Sequence, residues 1–226
     1  MKNTATWFQL CSSLDVLGDT ELAINFYSRE RLEAGPMPET QKYKTGFLYL
    51  EVYGLLQALY LQQDAAINLC KSLGIGQRID NYPRLREIRE IRNDSIGHPT
   101  KRDRRRGGVP MTFGFITRIS LSHTSFDYQI AASDGTHEFK KAAIPEIILD
   151  QKRYISEILG PVTRYFEEAD RAYKKAFEME KLTDLFPETL EYHLGKIYEG
   201  ISRLRPELSV KGLSGAHTRC DFLHRR

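Results

Sequence analysis

The chain has 226 residues and a formal net charge of +3. This length supports one hydrophobic core, so we expect a single domain over 1–205 and a tail, flexible or docked on a partner, at 206–226. Residues 52–63, the longest uncharged apolar stretch, are too few to span a membrane, and the first residues lack a signal-peptide pattern. The cysteines are odd in number and far apart, which indicates reduced thiols and a cytoplasmic location: Cys11, Cys70 and Cys220.

Two long helices are predicted first. One covers residues 7–33, with an interruption near Gly18, and the second covers residues 39–72. The apolar face of the second helix contains one polar residue at its centre, Gln63, and one acid near its edge, Glu51. A buried glutamine is most often a hydrogen-bonded core amide, but Gln63 also has the position of a supporting partner for Arg92 on the third helix.

A third helix is predicted over residues 83–96. Proline suits its first turn, and Gly97 accepts the left-handed conformation that commonly ends a helix. His98 is therefore expected just outside the helix. Pro99 favours extended backbone at His98, which turns the imidazole out of the helical path.

Arg92 is in an unusual position on this third helix, because it falls within the apolar stripe that contains Leu85 and Ile88. No acidic residue stands three or four positions away from it. Since removing an unpaired guanidinium from water costs several kcal/mol, Arg92 requires a carboxylate from elsewhere, such as Glu51, an open groove, or an anionic ligand.

A block of positive charge follows at residues 101–106, with five basic residues and one acid. Such a run is often a solvated loop. Its start three residues after His98 favours contact with nucleic-acid phosphates instead. The predicted nucleic-acid-binding residues are Lys101, Arg102, Arg104, Arg105 and Arg106.

The periodicity then becomes alternating. Strands are predicted over 113–121 and 126–132, a turn at 133–136, and a third strand to residue 143. Helical periodicity returns from Pro145, with a bend at Gly160–Pro161, and a last helix follows residue 187. The predicted fold is therefore mainly α, an antiparallel helical bundle with a three-stranded antiparallel meander inserted at about 111–143.

Arg92, the polar Asn93 and His98, with five residues between Arg92 and His98, resemble the nuclease motif of HEPN domains (higher eukaryotes and prokaryotes nucleotide-binding). The preceding helix, 53–67, also resembles the second helix of that family's bundle. The resemblance covers residues 40–99. Some members carry a tyrosine two residues after the histidine that an antitoxin nucleotidylates, whereas this chain has Thr100 there.

The resemblance implies a HEPN-like bundle that acts as a metal-independent endoribonuclease on single-stranded RNA, with no cofactor. Two protomers would bring Arg92 and His98 together at a dimer interface. His98 would transfer protons and Arg92 would stabilise the phosphate charge. Asn93 would orient the phosphate or His98, and Ser95 would add a hydroxyl contact. A defence or toxin–antitoxin role, with an antitoxin or regulatory protein as partner, is also implied.

Two other interpretations remain open. One is a non-catalytic HEPN-like dimer that binds RNA or a nucleotide, or scaffolds another protein, with Arg92 neutralised by Glu51. The other is a structural helical protein whose basic run is solvated. No histidine pair or Cys-x-x-Cys has metal-ligand spacing, so no metal site is predicted.

Overall fold

The computed structural model describes residues 4–33, 44–97, 100 and 110–179, together with 192, 195–197 and 199. The chain divides into two compact units, Met1–Phe166 and Glu167–Arg226. The predicted tail at 206–226 lies outside the described residues, so the predicted domain organisation stays a prediction. Among the described helices, none is long and apolar enough to cross a membrane.

Long helices dominate the described part of the chain. The predicted break near Gly18 is absent, because Thr4–Tyr27 is one continuous helix. The helix that begins at Ile144 also continues through Pro161, where buried Ile158 and Val162 anchor it on both sides. The elements are α1 (Thr4–Tyr27) with a following π-helical turn (Ser28–Glu33), α2 (Lys44–Ser72), α3 (Pro83–Arg92) and α4 (Ile144–Met179).

Hydrogen bonds made by side chains define how the helices of the first unit are arranged. Residue numbers rise along α1 as those of their bonded partners fall along α2, so these two helices are antiparallel, and α3 is antiparallel to α2 by the same criterion. Partners on α2 and α4 run in the same direction. The pairs are Gln9–Asn68, Glu21–Gln62 and Arg31–Glu51 for α1 and its turn with α2, Arg89–Gln63 and Arg92–Gln57 for α3 with α2, and Leu59–Gln151 and Cys70–Ile158 for α2 with α4.

The predicted three-stranded antiparallel meander is confirmed. Its strands are β1 (Thr112–Ile116), β2 (Ser125–Ala132) and β3 (His137–Ala143), in the order β1-β2-β3. The first strand is shorter than the predicted 113–121, because a 3-10 turn at Arg118–Ser120 follows it. Ile119 in that turn is 99 % exposed and contributes nothing to the core.

The inner face of the sheet packs on the helical core through Phe126, Tyr128 and Ile130 of β2. On β1 the inward positions are Gly114 and Ile116, whereas Phe113 and Phe115 lie on the exposed face. A glycine at an inward position lets another backbone approach the strand closely. That backbone belongs to the turn that follows α3.

Candidate functional site

The candidate site begins where α3 ends. After Arg92 the helix widens into a π-helical turn, Asn93–Gly97, a feature that is frequent at functional sites. The predicted left-handed conformation at Gly97 is wrong, since among the described residues only Gly74 and Gly135 have positive φ. Gly97 instead leaves room for the guanidinium, because a Cβ there would lie 2.5 Å from Nη1 of Arg92 and would displace that side chain.

The guanidinium of Arg92 folds over this turn and is held by amide oxygens. Its Nε and Nη2 donate to Oε1 of Gln57 on α2, at 3.2 and 2.8 Å, and its Nη1 donates to Oδ1 of Asn93 at 3.0 Å. In the described part of the chain, no carboxylate lies within bonding distance of it. Among the described residues, the positive charge of Arg92 is therefore oriented by neutral groups and not cancelled.

Tyr60 of α2 lies beside two guanidiniums. The Cζ atoms of Arg89 and Arg92 are each 4.6 Å from the centroid of its ring, within the range of cation–π attraction. Arg89 differs from Arg92 in its other partners, because it forms an ion pair with Asp64 and donates from Nε to Oε1 of Gln63 at 2.7 Å. Two cations one helical turn apart thus share a ring, and of the carboxylates in the described segments one pairs with Arg89 and none with Arg92.

Two hypotheses about the neighbours of Arg92 are corrected by this geometry. Glu51 does not bind Arg92, because it forms an ion pair with Arg31 after α1. Gln63 does not contact Arg92 either. It is fully buried, accepts from Arg89 and donates to Oε1 of Gln151 at 2.8 Å, so the interpretation of Gln63 as a core amide is the better one.

The structure describes some of the predicted site residues and places them differently. Arg92 and Asn93 are in contact, as described above. Ser95 is buried, and its hydroxyl donates to the carbonyl of Ile91 at 2.6 Å, so it stabilises the turn and does not face Arg92. His98 lies outside the described residues. So do the predicted nucleic-acid contacts at 101–106.

The sheet holds the turn in place. A Cβ at Gly114 of β1 would overlap the carbonyl oxygen of Asp94, so the strand and the turn meet backbone to backbone. The side chain of Asp94 is buried nearby. Burial raises the pKa of the Tyr128 hydroxyl, and the negative charges of Asp94, Glu138 and Glu90 raise it further. Tyr128 therefore stays a neutral phenol beneath the site.

Sequence reasoning missed three residues of this site: Gln57, Tyr60 and Arg89. A weak signal existed, since Gln57 and Tyr60 lie three positions apart and so share a face of α2. Chemically, the described residues leave the guanidinium without a carboxylate and leave one N–H on each of its terminal nitrogens for another acceptor, which suits a phosphate or other anion. Within the described residues there is no group of three or more His, Cys, Asp or Glu side chains that could hold a metal ion.

Comparison with known proteins gives no relative from which to transfer a function. No family model, no curated protein and no solved structure matches this chain.

Proposed function

We propose that this protein is a HEPN-like, metal-independent endoribonuclease that cleaves single-stranded RNA, with Arg92 as the residue that binds the scissile phosphate. The observation that carries the proposal is the set of partners around Arg92. Two amide oxygens and an aromatic ring fix its guanidinium, and no carboxylate among the described residues neutralises it.

A partly exposed arginine oriented in this way has a strong preference for an anion. Gln57 and Asn93 hold the fork in one orientation, so little side-chain entropy is lost when a phosphate binds. The other guanidinium beside the same ring, that of Arg89, is paired with Asp64, so Arg92 is the cation of this pair that is available to an anion. The amide groups of Gln57 and Asn93 also carry N–H donors suited to phosphate oxygens.

The reaction proposed is attack of the RNA 2′-oxygen on the adjacent phosphorus. A base removes the 2′-hydroxyl proton, the bond from phosphorus to the 5′-oxygen breaks, and an acid protonates that oxygen. The products are a 2′,3′-cyclic phosphate and a 5′-hydroxyl. His98 is the proposed proton-transfer group, because imidazole exchanges protons near neutral pH. Arg92 stabilises the charge of the pentavalent phosphate, and Asn93 orients Arg92.

The proposal includes a homodimer, in which the second His98 supplies the other proton transfer, and it includes an antitoxin or regulatory partner and a cytoplasmic location. The dimer rests on the resemblance to HEPN proteins alone. Ile88 is buried, and Ile91 and Ile96 pack against the core of the same protomer, so the apolar stripe of α3 needs no partner to cover it. The basic run at 101–106 is proposed to hold the RNA through its phosphates.

The alternative is an RNA-binding or nucleotide-binding protein without catalysis. It uses the same guanidinium and differs only in the role of His98. The charge-neutralised version of this alternative, with Glu51 as counterion, loses its basis because Glu51 binds Arg31.

The test is cleavage of a labelled single-stranded RNA in the presence of EDTA. The wild-type protein should cut it and leave 2′,3′-cyclic phosphate ends. His98→Ala should lose at least about 100-fold in rate, the lower end of what a general acid or base contributes, with no change in circular dichroism. The matched control is His137→Ala, on the exposed end of β3, which should cleave at the wild-type rate.

A requirement for a divalent ion would contradict the mechanism, and so would cleavage that survives His98→Ala. RNA binding without any cleavage, weakened by loss of Arg92, would favour the non-catalytic alternative.

A further inference from the structure

An aromatic stripe on α2 leads away from the Arg92 site. Tyr49, Tyr53 and Gln57 follow one another at four-residue spacing, and Tyr60 comes three residues later. Residues at these spacings lie on one face of a helix. Gln57 and Tyr60, which hold Arg92, therefore lie in one stripe with two further tyrosines toward the N-terminal end of α2.

Tyr53 presents an exposed ring, and Tyr49, which packs partly against the core, contacts that ring. Their ring centroids are 5.7 Å apart with the planes at 89°, an edge contact that fixes the orientation of both rings. Tyr53 is 41 % exposed. Burial raises the pKa of Tyr53, and the neighbouring Tyr49 raises it further, so its hydroxyl stays neutral and does not repel a phosphate.

The charge along this face of α2 suits a polyanion. From residue 46 to residue 63 the only acidic residue is Glu51. Glu51 forms an ion pair with Arg31 and lies about 160° around the helix from Tyr53, by the usual angle of about 100° per residue. Asp64, one turn beyond Tyr60, forms an ion pair with Arg89. Among the described residues the cation of the stripe without a carboxylate is Arg92, at the Gln57 end. A polyanionic strand that binds there can continue from Gln57 to Tyr49 without meeting a described carboxylate of α2.

The spacing of the stripe suits a single strand. Four helical residues rise about 6 Å, at about 1.5 Å per residue, whereas a duplex strand advances only about 3.4 Å along the duplex axis per phosphate. A strand with unstacked, splayed bases is longer per nucleotide than a duplex strand. Such bases are the ones that proteins bind by stacking on aromatic rings.

We propose that Tyr53, held by Tyr49, is a stacking subsite for the nucleobase next to the phosphate that Arg92 binds. The subsite accepts any base, since every base has a stacking face. This inference rests on the proposed function, because it takes RNA as the ligand. It adds a binding residue on α2 and a direction for the strand, from α3 along α2 toward Tyr49.

The experiment measures binding of an uncleavable 2′-O-methyl RNA of mixed sequence, by fluorescence anisotropy over a series of salt concentrations. Tyr53→Leu keeps apolar volume and removes the ring. It should raise Kd roughly 5- to 150-fold, which corresponds to about 1–3 kcal/mol per stacked base. Tyr53→Phe should bind like the wild type. The salt slope should be unchanged in both, because a ring neutralises no phosphate.

The matched control is Leu22→Ala, a 73 % exposed apolar residue on α1, which should leave Kd unchanged. Equal weakening by Tyr53→Leu and Leu22→Ala would overturn the subsite, and so would wild-type affinity in Tyr53→Leu. If Tyr53→Leu instead converts a sedimenting dimer to monomer with RNA affinity intact, the stripe is a protein interface and the subsite is wrong.

RNA binding by the wild type, Arg92→Gln and Tyr53→Leu separates an error in the subsite from an error in the proposed function. If the wild type binds RNA and Arg92→Gln weakens it while Tyr53→Leu does not, only the subsite is wrong. If the wild type binds no RNA, the proposed function fails and the subsite falls with it.

Discussion

Arg89 and Arg92 are one helical turn apart on α3 and lie equally close to the ring of Tyr60, yet their partners differ. Arg89 binds a carboxylate, Asp64, and a buried amide, Gln63. The described hydrogen-bond partners of Arg92 are amide oxygens of partly exposed side chains. Position in an apolar stripe thus does not by itself distinguish a structural arginine from a ligand-binding one, because the distinction depends on the partners from another helix.

The largest expected effect on stability comes from replacing the structural arginine. Arg89→Met keeps the aliphatic contact with Tyr60 but leaves the oxygen of fully buried Gln63 without its donor. An unsatisfied buried acceptor costs about 1–3 kcal/mol, and the half-exposed pair with Asp64 adds up to about 1 kcal/mol. We expect urea unfolding to show a loss of about 2–3 kcal/mol.

The same change at Arg92 is the matched control. Arg92→Met should lower the free energy of unfolding by less than about 1 kcal/mol, because Gln57 and Asn93 are partly exposed and regain water. Equal losses in the two variants would remove the proposed difference between the arginines.

A second prediction tests whether β1 positions the Arg92 turn. Gly114→Ala places a methyl group onto the carbonyl oxygen of Asp94, so the strand or the turn must move. Overpacking of this kind costs about 1–3 kcal/mol. RNA affinity should fall together with stability, since the moved turn contains Asn93, whose oxygen holds the guanidinium of Arg92.

The control is Gly18→Ala in α1, where an added Cβ meets nothing within 4 Å. It should raise the free energy of unfolding by up to about 1 kcal/mol, as alanine is the better helix former. If thermal denaturation shows the two variants to be alike, the contact between β1 and the turn has no structural role.

The sequence predicted the helices and the sheet because their signals are local. Hydrophobic periodicity also placed Arg92 on an apolar face, which identified it as unusual. The partner of Arg92 could not be predicted in the same way. Both Glu51 and Gln57 are on α2, and the choice between them depends on how far α3 lies along α2, which no local pattern encodes.

The roles of two glycines, Gly97 and Gly114, were also not predictable from the local sequence. Helix-end chemistry predicts a left-handed conformation for Gly97, whereas in the structure its small size leaves room for the guanidinium of Arg92. On β1 the alternation separated Phe113 and Phe115 from Gly114 correctly, without indicating which side is inward. The bulky residues are outward because the inner side meets the backbone of Asp94.

The role of Arg92 in binding phosphate is tested most directly by the salt dependence of binding to the uncleavable single-stranded RNA. The variant is Arg92→Gln, and the matched control is Arg86→Gln. Arg86 is on the same helix and exposed, so both variants lose one charge. If Arg92 binds a phosphate, the log–log slope of affinity against salt should become shallower by about 0.7 for Arg92→Gln. It should stay at the wild-type value for Arg86→Gln. Identical slopes in the two variants would contradict the assignment of Arg92 as the phosphate-binding residue.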